Sequence, residues 1–382
     1  TMGTASSMNS IAEALGMSLP GGAIIPAPYK ERTEISLKTG KRIVEMVFEN
    51  LTPSKIMTKE AFENAVYVAS AIGASSNCPP HLTAIARHMG VDFNLDQWEK
   101  LGHSIPLLAN CQPAGEHLME GFFKAGGIPA IMQELMKNNK LHKDLMTVTG
   151  KTIAENLIEK IDIDENIIKS FKNPLVNNAG FIVMKSNFFN SAVMKTSVIS
   201  SEFRKRYLSN PTSLNLFEAN AIVFEGPEDY HLRINDESLN IDENSILMIR
   251  GCGPVGYPGS AEVVNMQPPD KLLKQGINTL PTLGDGRQSG TSESPSILNV
   301  SPESAIGGSL LIVETGDKIK IDLNNSRIDL MISSEEIEKR RKKVKIPKLE
   351  NQTPWQEISR KMVGQLETGA CLETESLYLD IT

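Results

Sequence analysis

Residues 284–299 read GDGRQSGTSESPSILN. Glycines at 284, 286 and 290 are interleaved with hydroxyl side chains and one arginine, which describes a tight loop whose backbone N–H groups face something anionic. Ser289 stands between Gln288 and Gly290, where little side-chain bulk shields its oxygen, and is the leading candidate for a reacting group. A Gly/Ser cluster taken alone reads first as an ordinary turn. What argues for more is a second Gly/Pro-rich stretch upstream, residues 250–265 (RGCGPVGYPGSAEVVN), which delivers one carboxylate, Glu262, where a helix is predicted to begin. Carboxylate plus water is the usual way of holding Mg²⁺, because the small hard ion wants oxygen and keeps part of its hydration shell. Arg287 could pair with a substrate carboxylate, or with Asp285 as a structural clasp. Thr291 is placed to hydrogen-bond Ser289 or a substrate. Farther upstream, Ser75, Ser76 and Asn77 precede a helix that opens on prolines, so they either cap that helix or bind a ligand's oxygen at its N-terminus.

Other residue types carry less. Thr149-Gly150-Lys151-Thr152 imitates the end of a phosphate-binding loop, but the first glycine of that motif would fall on Leu145, so nucleotide binding is discounted. His88, His103, His117 and His142 lack metal-ligand spacing and read as core or surface histidines. Cys78, Cys111, Cys252 and Cys371 are far apart with no CxxC pair, which suggests reduced thiols in a cytoplasmic protein and no cluster or zinc signature.

The runs GPVGYPGSAEVVNM (253–266), GDGRQSGTS and SPSILN together resemble the dihydroxy-acid dehydratase / phosphogluconate dehydratase family, in its sugar-acid (aldonate) branch. FEGPEDYH (224–231), MKTSVIS (194–200), AGGIPA (125–130), TVTGKT (147–152) and the opening TMGTASSMN extend the likeness from end to end. The resemblance implies a hydro-lyase that takes water from an aldonate such as arabinonate, xylonate or a hexonate and yields the 2-keto-3-deoxy acid. It makes Ser289 the base, acting as an alkoxide, and Glu262 a Mg²⁺ ligand. The magnesium would stabilise the enediolate, and an iron–sulfur cluster, 2Fe-2S rather than 4Fe-4S, would assist the leaving hydroxyl. The family's cluster cysteines, a carbamylated lysine and a further acidic ligand have no counterpart here, so the chain resembles an N-terminally truncated member. Gln288 and GYPGSAEVVN favour the aldonate branch, while Glu293 and Cys78 stand where the family has small residues. The alternatives are the dihydroxy-acid dehydratase of branched-chain amino acid synthesis and a non-catalytic scaffold.

The 382 residues allow two domains, and the hydrophobic share of 40% supports ordinary cores. A net charge of −7 offers no basic field for nucleic acid, and the basic run at 339–345 (KRRKKVK) reads as a solvated helix face. No apolar run is long enough to span a bilayer. Periodicity predicts helices near 4–15, 33–50, 59–72, 81–89, 116–124, 128–138 and 152–159, with an apolar stripe at Ile43, Val44, Val47 and Phe48. Short strands at 105–109 and 145–148 among these helices argue for an α/β/α layered domain, present in part, over 1–179. Beyond the acidic, amide-rich stretch 162–180 come β-like runs at 181–184, 221–224, 246–249, 310–313, 318–323 and 327–332, the last two joined by a hairpin signal. They predict a barrel-like β domain over 180–382 that carries the serine loop. After a charged helix at 335–343, an amphipathic helix at 355–366 and the apolar tail 368–382 would suit docking in a homodimer or homotetramer.

Overall fold

A computed structural model describes residues 1–373 and divides the chain into two compact units, Thr1–Phe181 and Ile182–Thr382. The fold is mixed α/β. Helices dominate the first unit and a barrel-like sheet the second.

In the first unit the helix Lys59–Ala71 (KEAFENAVYVASA) is buried on most of its circumference, at Ala61, Phe62, Ala65, Val66, Val68 and Ala69 among others. Its alanines favour helix and let neighbours approach closely, above all the helix Thr4–Ala14. Gly16, at φ +82°, lets the chain turn away from that helix end, and its carbonyl accepts from the Val148 N–H at 2.8 Å. The helix Cys78–His88 starts on Pro79 and Pro80 as predicted.

Some expectations fail here. Residues 105–109 are buried and extended, but Pro106 cannot donate to a ladder, and the segment forms only isolated bridges, Leu107 to Val176 and Ala109 to Ile168. Residues 145–148 run into a tight turn, with the Thr147 N–H given to the Lys151 carbonyl, instead of a strand. On the helix Lys30–Phe48 the predicted apolar stripe faces outward: Ile43, Val44, Val47 and Phe48 are all exposed, Phe48 by 86%.

The second unit is built on eight strands: β1 (Phe181–Met184), β2 (Ser191–Lys195), β3 (Leu216–Phe224), β4 (Ser245–Ile249), β5 (Thr282–Gly284), β6 (Ile297–Ser301), β7 (Lys318–Asp322) and β8 (Arg327–Leu330). Their order is β1-β2-β6-β5-β4-β3-β7-β8. The central pairs β3–β4, β4–β5 and β5–β6 are parallel, while β2–β6, β3–β7 and β7–β8 are antiparallel. Lys185, just past β1, bridges to Arg327 of β8, so the two ends of the sheet meet.

Alternation sorts the side chains. Ala219, Ala221, Val223, Ile246, Met248 and Leu283 join the core inside the barrel, and Ile222, Phe224, Leu247 and Ile249 join a second core on the outer face. Strands covered on both sides read as unbroken apolar runs, which is how β4 (SILMI) reads.

The segment 310–313 is one turn of 3-10 helix, Ser309–Ile312, rather than a strand. Arg250 takes its Leu310 and Val313 carbonyls at 2.8 and 3.0 Å, satisfying by a side chain what a neighbouring strand would have satisfied. The charged helix spans Ser334–Lys343 and the amphipathic one Pro354–Met362. Arg340, Lys339 and Arg341 of the basic run are engaged by Asp317, Glu336 and Glu338. Most of the tail credited with docking, from 374 onward, lies outside the described residues. No helix among the described residues is long and apolar enough to cross a membrane.

Candidate active site

β4 and β5 are parallel neighbours with Ile249 opposite Gly284, so the loops that follow them leave the sheet side by side. Those loops are the two glycine-rich stretches. Asp285 is fully buried, and its carboxylate accepts from the N–H groups of Gly251 (3.0 Å), Cys252 (2.8 Å) and Ser304 (2.8 Å). That is the clasp Asp285 makes, with backbone rather than with Arg287. Glu303, also fully buried, accepts from Val255 N–H at 2.9 Å, Gly256 N–H at 3.0 Å and the Gln365 side chain at 2.9 Å. Burial pushes the Glu303 carboxyl up, and the hydrogen bonds it accepts oppose that. Two carboxylates thus grip the 251–256 loop. Gly286 packs tightly on the neighbouring loop: a Cβ there would sit 3.1 Å from the Cys252 Cβ, so even an alanine would require the loop to shift by a few tenths of an ångström.

Farther out the loops are stitched directly. Val264 N–H donates to the Arg287 carbonyl at 2.9 Å, Arg287 N–H to Ala261 at 3.2 Å, and Ser292 Oγ to Asn265 Oδ1 at 2.9 Å. Arg287 is half-buried and gives its Nε–H to the Ser260 carbonyl at 2.6 Å. Burial lowers the pKa of its guanidinium, and the nearby Glu262 charge works the other way. Glu262 is exposed and lies beside Arg287 at a bend, where the Val263 N–H donates to the Ala261 carbonyl at 2.9 Å. No helix begins there, because Val263 and Val264 are β-branched and Pro268 and Pro269 defer the next helix to Asp270–Leu273.

Ser289 is half-buried, with Oγ 2.9 Å from Thr291 Oγ1 and 3.4 Å from the Thr291 N–H that points to it. Gln288 is buried and holds the Ser294 carbonyl at 3.0 Å, which bends the loop so that Ser289 is presented outward. The loop can therefore place a hydroxyl at a surface, with the Thr291 N–H aimed at its oxygen and the Thr291 hydroxyl within hydrogen-bond reach of it.

Ser289, Thr291, Arg287 and Glu262 all belong to the second unit, whereas Ser76 and Asn77 belong to the first. There the helix Cys78–His88 has Asn77 at its N-cap and no side-chain cap; Ser75 Oγ instead closes a local turn, accepting from Asn77 N–H at 3.1 Å, while the Asn77 amide donates to Thr4 Oγ1 at 2.9 Å. Ser76 Oγ is buried with no hydrogen-bond partner among the described residues.

All four thiols are buried. Burial pushes Cys111 up to about 11 and Cys252 higher still, which keeps them protonated and poor ligands. Among the described residues no three His, Cys, Asp or Glu side chains converge as a metal cage. These residues therefore do not fit an iron–sulfur cluster, and toward Mg²⁺ they offer Glu262 alone. Sequence reasoning missed Glu303 and Asn299, a buried amide in β6. A glutamate in a Pro-Glu-Ser turn gives no hint of burial, and an asparagine in a strand gives none of its purpose.

Residues 1–156 match the family described as dihydroxy-acid/6-phosphogluconate dehydratase N-terminal, and residues 166–370 match its C-terminal counterpart. A D-xylonate dehydratase of Caulobacter vibrioides is 55% identical over 382 residues, covering 100% of this chain and 64% of that protein. An L-arabinonate dehydratase of Rhizobium leguminosarum bv. trifolii is 43% identical over 330 residues, 86% of this chain and 55% of that protein. A dihydroxy-acid dehydratase of Acetivibrio thermocellus is 38% identical over 376 residues, 98% of this chain and 65% of that protein. The chain spans less than two thirds of the length of each of these relatives. With matches to both of its segments, the chain belongs to the dihydroxy-acid/6-phosphogluconate dehydratase family.

Proposed function

We propose that this chain is the base-bearing part of a hydro-lyase that converts an aldonate, of the xylonate or arabinonate kind, into the 2-keto-3-deoxy acid. The observation that carries the reading is Ser289, raised on a glycine-flanked loop, with the Thr291 N–H directed at its oxygen and the Thr291 hydroxyl 2.9 Å from it. In the reaction the serine alkoxide takes the proton from C2, the C3 hydroxyl leaves, and the enol that remains becomes the ketone. Proton and hydroxide together make the water released. A serine hydroxyl is far too weak an acid to ionise unaided, so donors at its oxygen are what the step requires. Because the residues present do not assemble the cluster or the magnesium cage, no step is assigned to either. Glu262, beside Arg287, is the carboxylate this chain would contribute to a Mg²⁺ site, and Arg287 the cation it would offer a substrate carboxylate. Ser76 and Asn77 stay in the proposal as substrate-binding residues, supported by the buried Ser76 hydroxyl.

The names of the relatives at 55% and 43% identity favour aldonates over the branched-chain substrate, whose named relative stands at 38%. A cytoplasmic homodimer or homotetramer completes the reading, to which the exposed stripe at Ile43, Val44, Val47 and Phe48 lends support. The test uses the intact protein that contains this chain, assayed for 2-keto acid with D-xylonate, L-arabinonate and 2,3-dihydroxyisovalerate in parallel. Turnover of an aldonate, abolished in Ser289→Ala with the thermal midpoint unchanged, is the expected result. Preference for dihydroxyisovalerate would favour the branched-chain alternative, and no turnover of any would leave the scaffold reading. Light scattering on the same sample checks the assembly state, and a monomer would refute that part.

A further inference from the structure

β6 contains an irregularity that nothing so far explains. Between the pairs Val193–Leu298 and Ser191–Ser301, β2 advances two residues and β6 three, so one residue of β6 is extra. The bulge falls at Asn299 and Val300, and Asn299 takes a left-handed φ of +59°. Bulges of this kind re-aim a side chain and occur beside active sites. Here the re-aimed group is an amide that is 1% exposed, with neither Nδ2 nor Oδ1 hydrogen-bonded among the described residues. Leaving both halves of a buried amide unmatched is costly, and native proteins seldom do so without a purpose.

Its place ties it to the serine loop. Asn299 N–H donates to the Gly286 carbonyl at 3.0 Å, three residues before Ser289. The adjoining Asp285 holds Ser304 by its N–H, and the Ser304 hydroxyl is likewise fully buried and unmatched among the described residues. An amide that both donates and accepts, with a neutral hydroxyl and the Asp285 carboxylate in the same loop cluster and no cation from Asn299 or Ser304, suits an alcohol far better than a carboxylate.

We propose that Asn299, with Ser304 in support, binds a hydroxyl of the substrate's polyol tail and so determines specificity for polyhydroxy acids. This rests on the dehydratase reading above. Ser289 works at C2, and Asn299 is tied to Gly286 of the same loop, three residues from Ser289, which assigns it to carbons next to the reacting pair.

The experiment compares the intact wild-type protein with Asn299→Gly and Asn299→Asp. Glycine accepts the left-handed φ without strain and removes the unmatched amide, so the Gly variant is expected to fold with a thermal midpoint equal to or above that of the wild type. Its kcat/KM for D-xylonate is expected to fall about 10- to 100-fold, mainly through KM, the range for losing a matched hydrogen bond in a dry site. For 2,3-dihydroxyisovalerate, which has the same reacting head and no hydroxylated tail, the residual rate should be unchanged. Asn299→Asp, similar in shape but charged, should also weaken xylonate. Equal losses on both substrates, no loss on xylonate, or a lowered midpoint in the Gly variant would each overturn the inference. So would a crystal structure in which water or a protein atom saturates the amide with xylonate bound. Wild-type protein that turns over no aldonate would instead bring down the dehydratase reading itself, and this inference with it.

Discussion

Among the described residues Ser289 has one side-chain hydrogen-bond partner, Thr291, and the choice of substitution there separates hydrogen bonding from packing. Thr291→Val keeps the shape and deletes the hydroxyl 2.9 Å from Ser289 Oγ. If that hydroxyl donates to the alkoxide, kcat should fall about 10- to 100-fold, since hydrogen bonds to charged groups contribute roughly 1.5–3 kcal/mol. Thr291→Ser should recover most of the loss, and equal rates for Val and Thr would refute the role. Asp285 is a different case, because its work is structural. Asparagine can accept through only one atom, so Asp285→Asn leaves at least one of the Gly251, Cys252 and Ser304 N–H groups unmatched in a buried place. A loss of about 1–3 kcal/mol in urea unfolding is expected, and a change below about 0.5 kcal/mol would contradict it. The pattern of legibility follows from this difference. Ser289 and Thr291 sit in a glycine-rich loop, where residue type alone advertises exposure. Asp285, Glu303 and Asn299 act through burial and through partners far along the chain, which no local spacing encodes.

Among the elements, the helix Thr4–Ala14 carries the clearest pH effect. Glu13, near its end, is buried, and accepts from Gly21 N–H at 2.8 Å and Ala23 N–H at 3.0 Å. Burial outweighs those bonds and raises its pKa from 4.5 to about 7. The folded form then binds a proton that the unfolded chain has already lost over this interval. Stability from this group is therefore highest below about pH 4.5, declines as pH rises toward 7, and levels off above. The whole effect is roughly 3 kcal/mol at most. Urea midpoints from pH 5 to 8 should drift downward in the wild type and less in Glu13→Gln, and parallel curves would exclude Glu13 as the source. The element pattern was legible where local rules suffice, as in the Ala-rich helix Lys59–Ala71, the proline-started helix Cys78–His88 and the β7–β8 hairpin. It was not legible at 310–313, where a distant arginine, Arg250, takes the carbonyls, nor at 105–109, where a proline breaks a ladder that hydrophobicity alone would allow.

At the largest scale, short strands and turn signals suffice to suggest a barrel, but the order of its strands does not follow from them. β2 pairs with β6 across about a hundred residues of chain, and only the finished sheet shows β1 and β8 as its two ends. Closing those ends matters, because an open edge leaves N–H and C=O groups unpaired. The closure is short: Lys185 N–H donates to Ser326 at 2.9 Å, and Ile328 N–H to Lys185 at 3.0 Å. Asn187 then extends it with a side chain. Its Nδ2 donates to the Leu330 carbonyl and its Oδ1 accepts the Leu330 N–H, both at 2.9 Å, so the amide imitates one more residue of strand. Leu330 is buried, and in Asn187→Ala both of its backbone groups would lose their partner. At about 1–3 kcal/mol for each, a loss of roughly 2–6 kcal/mol is expected, with cooperative unfolding retained because the interior core is untouched. Hydrogen exchange localises the effect. Amides of β8 should exchange faster in the variant while those of β3 and β4, in the middle of the sheet, follow only the global loss. Uniform acceleration across all eight strands would mean that the seam is no weaker than the rest of the barrel, and that Asn187 does not hold it closed.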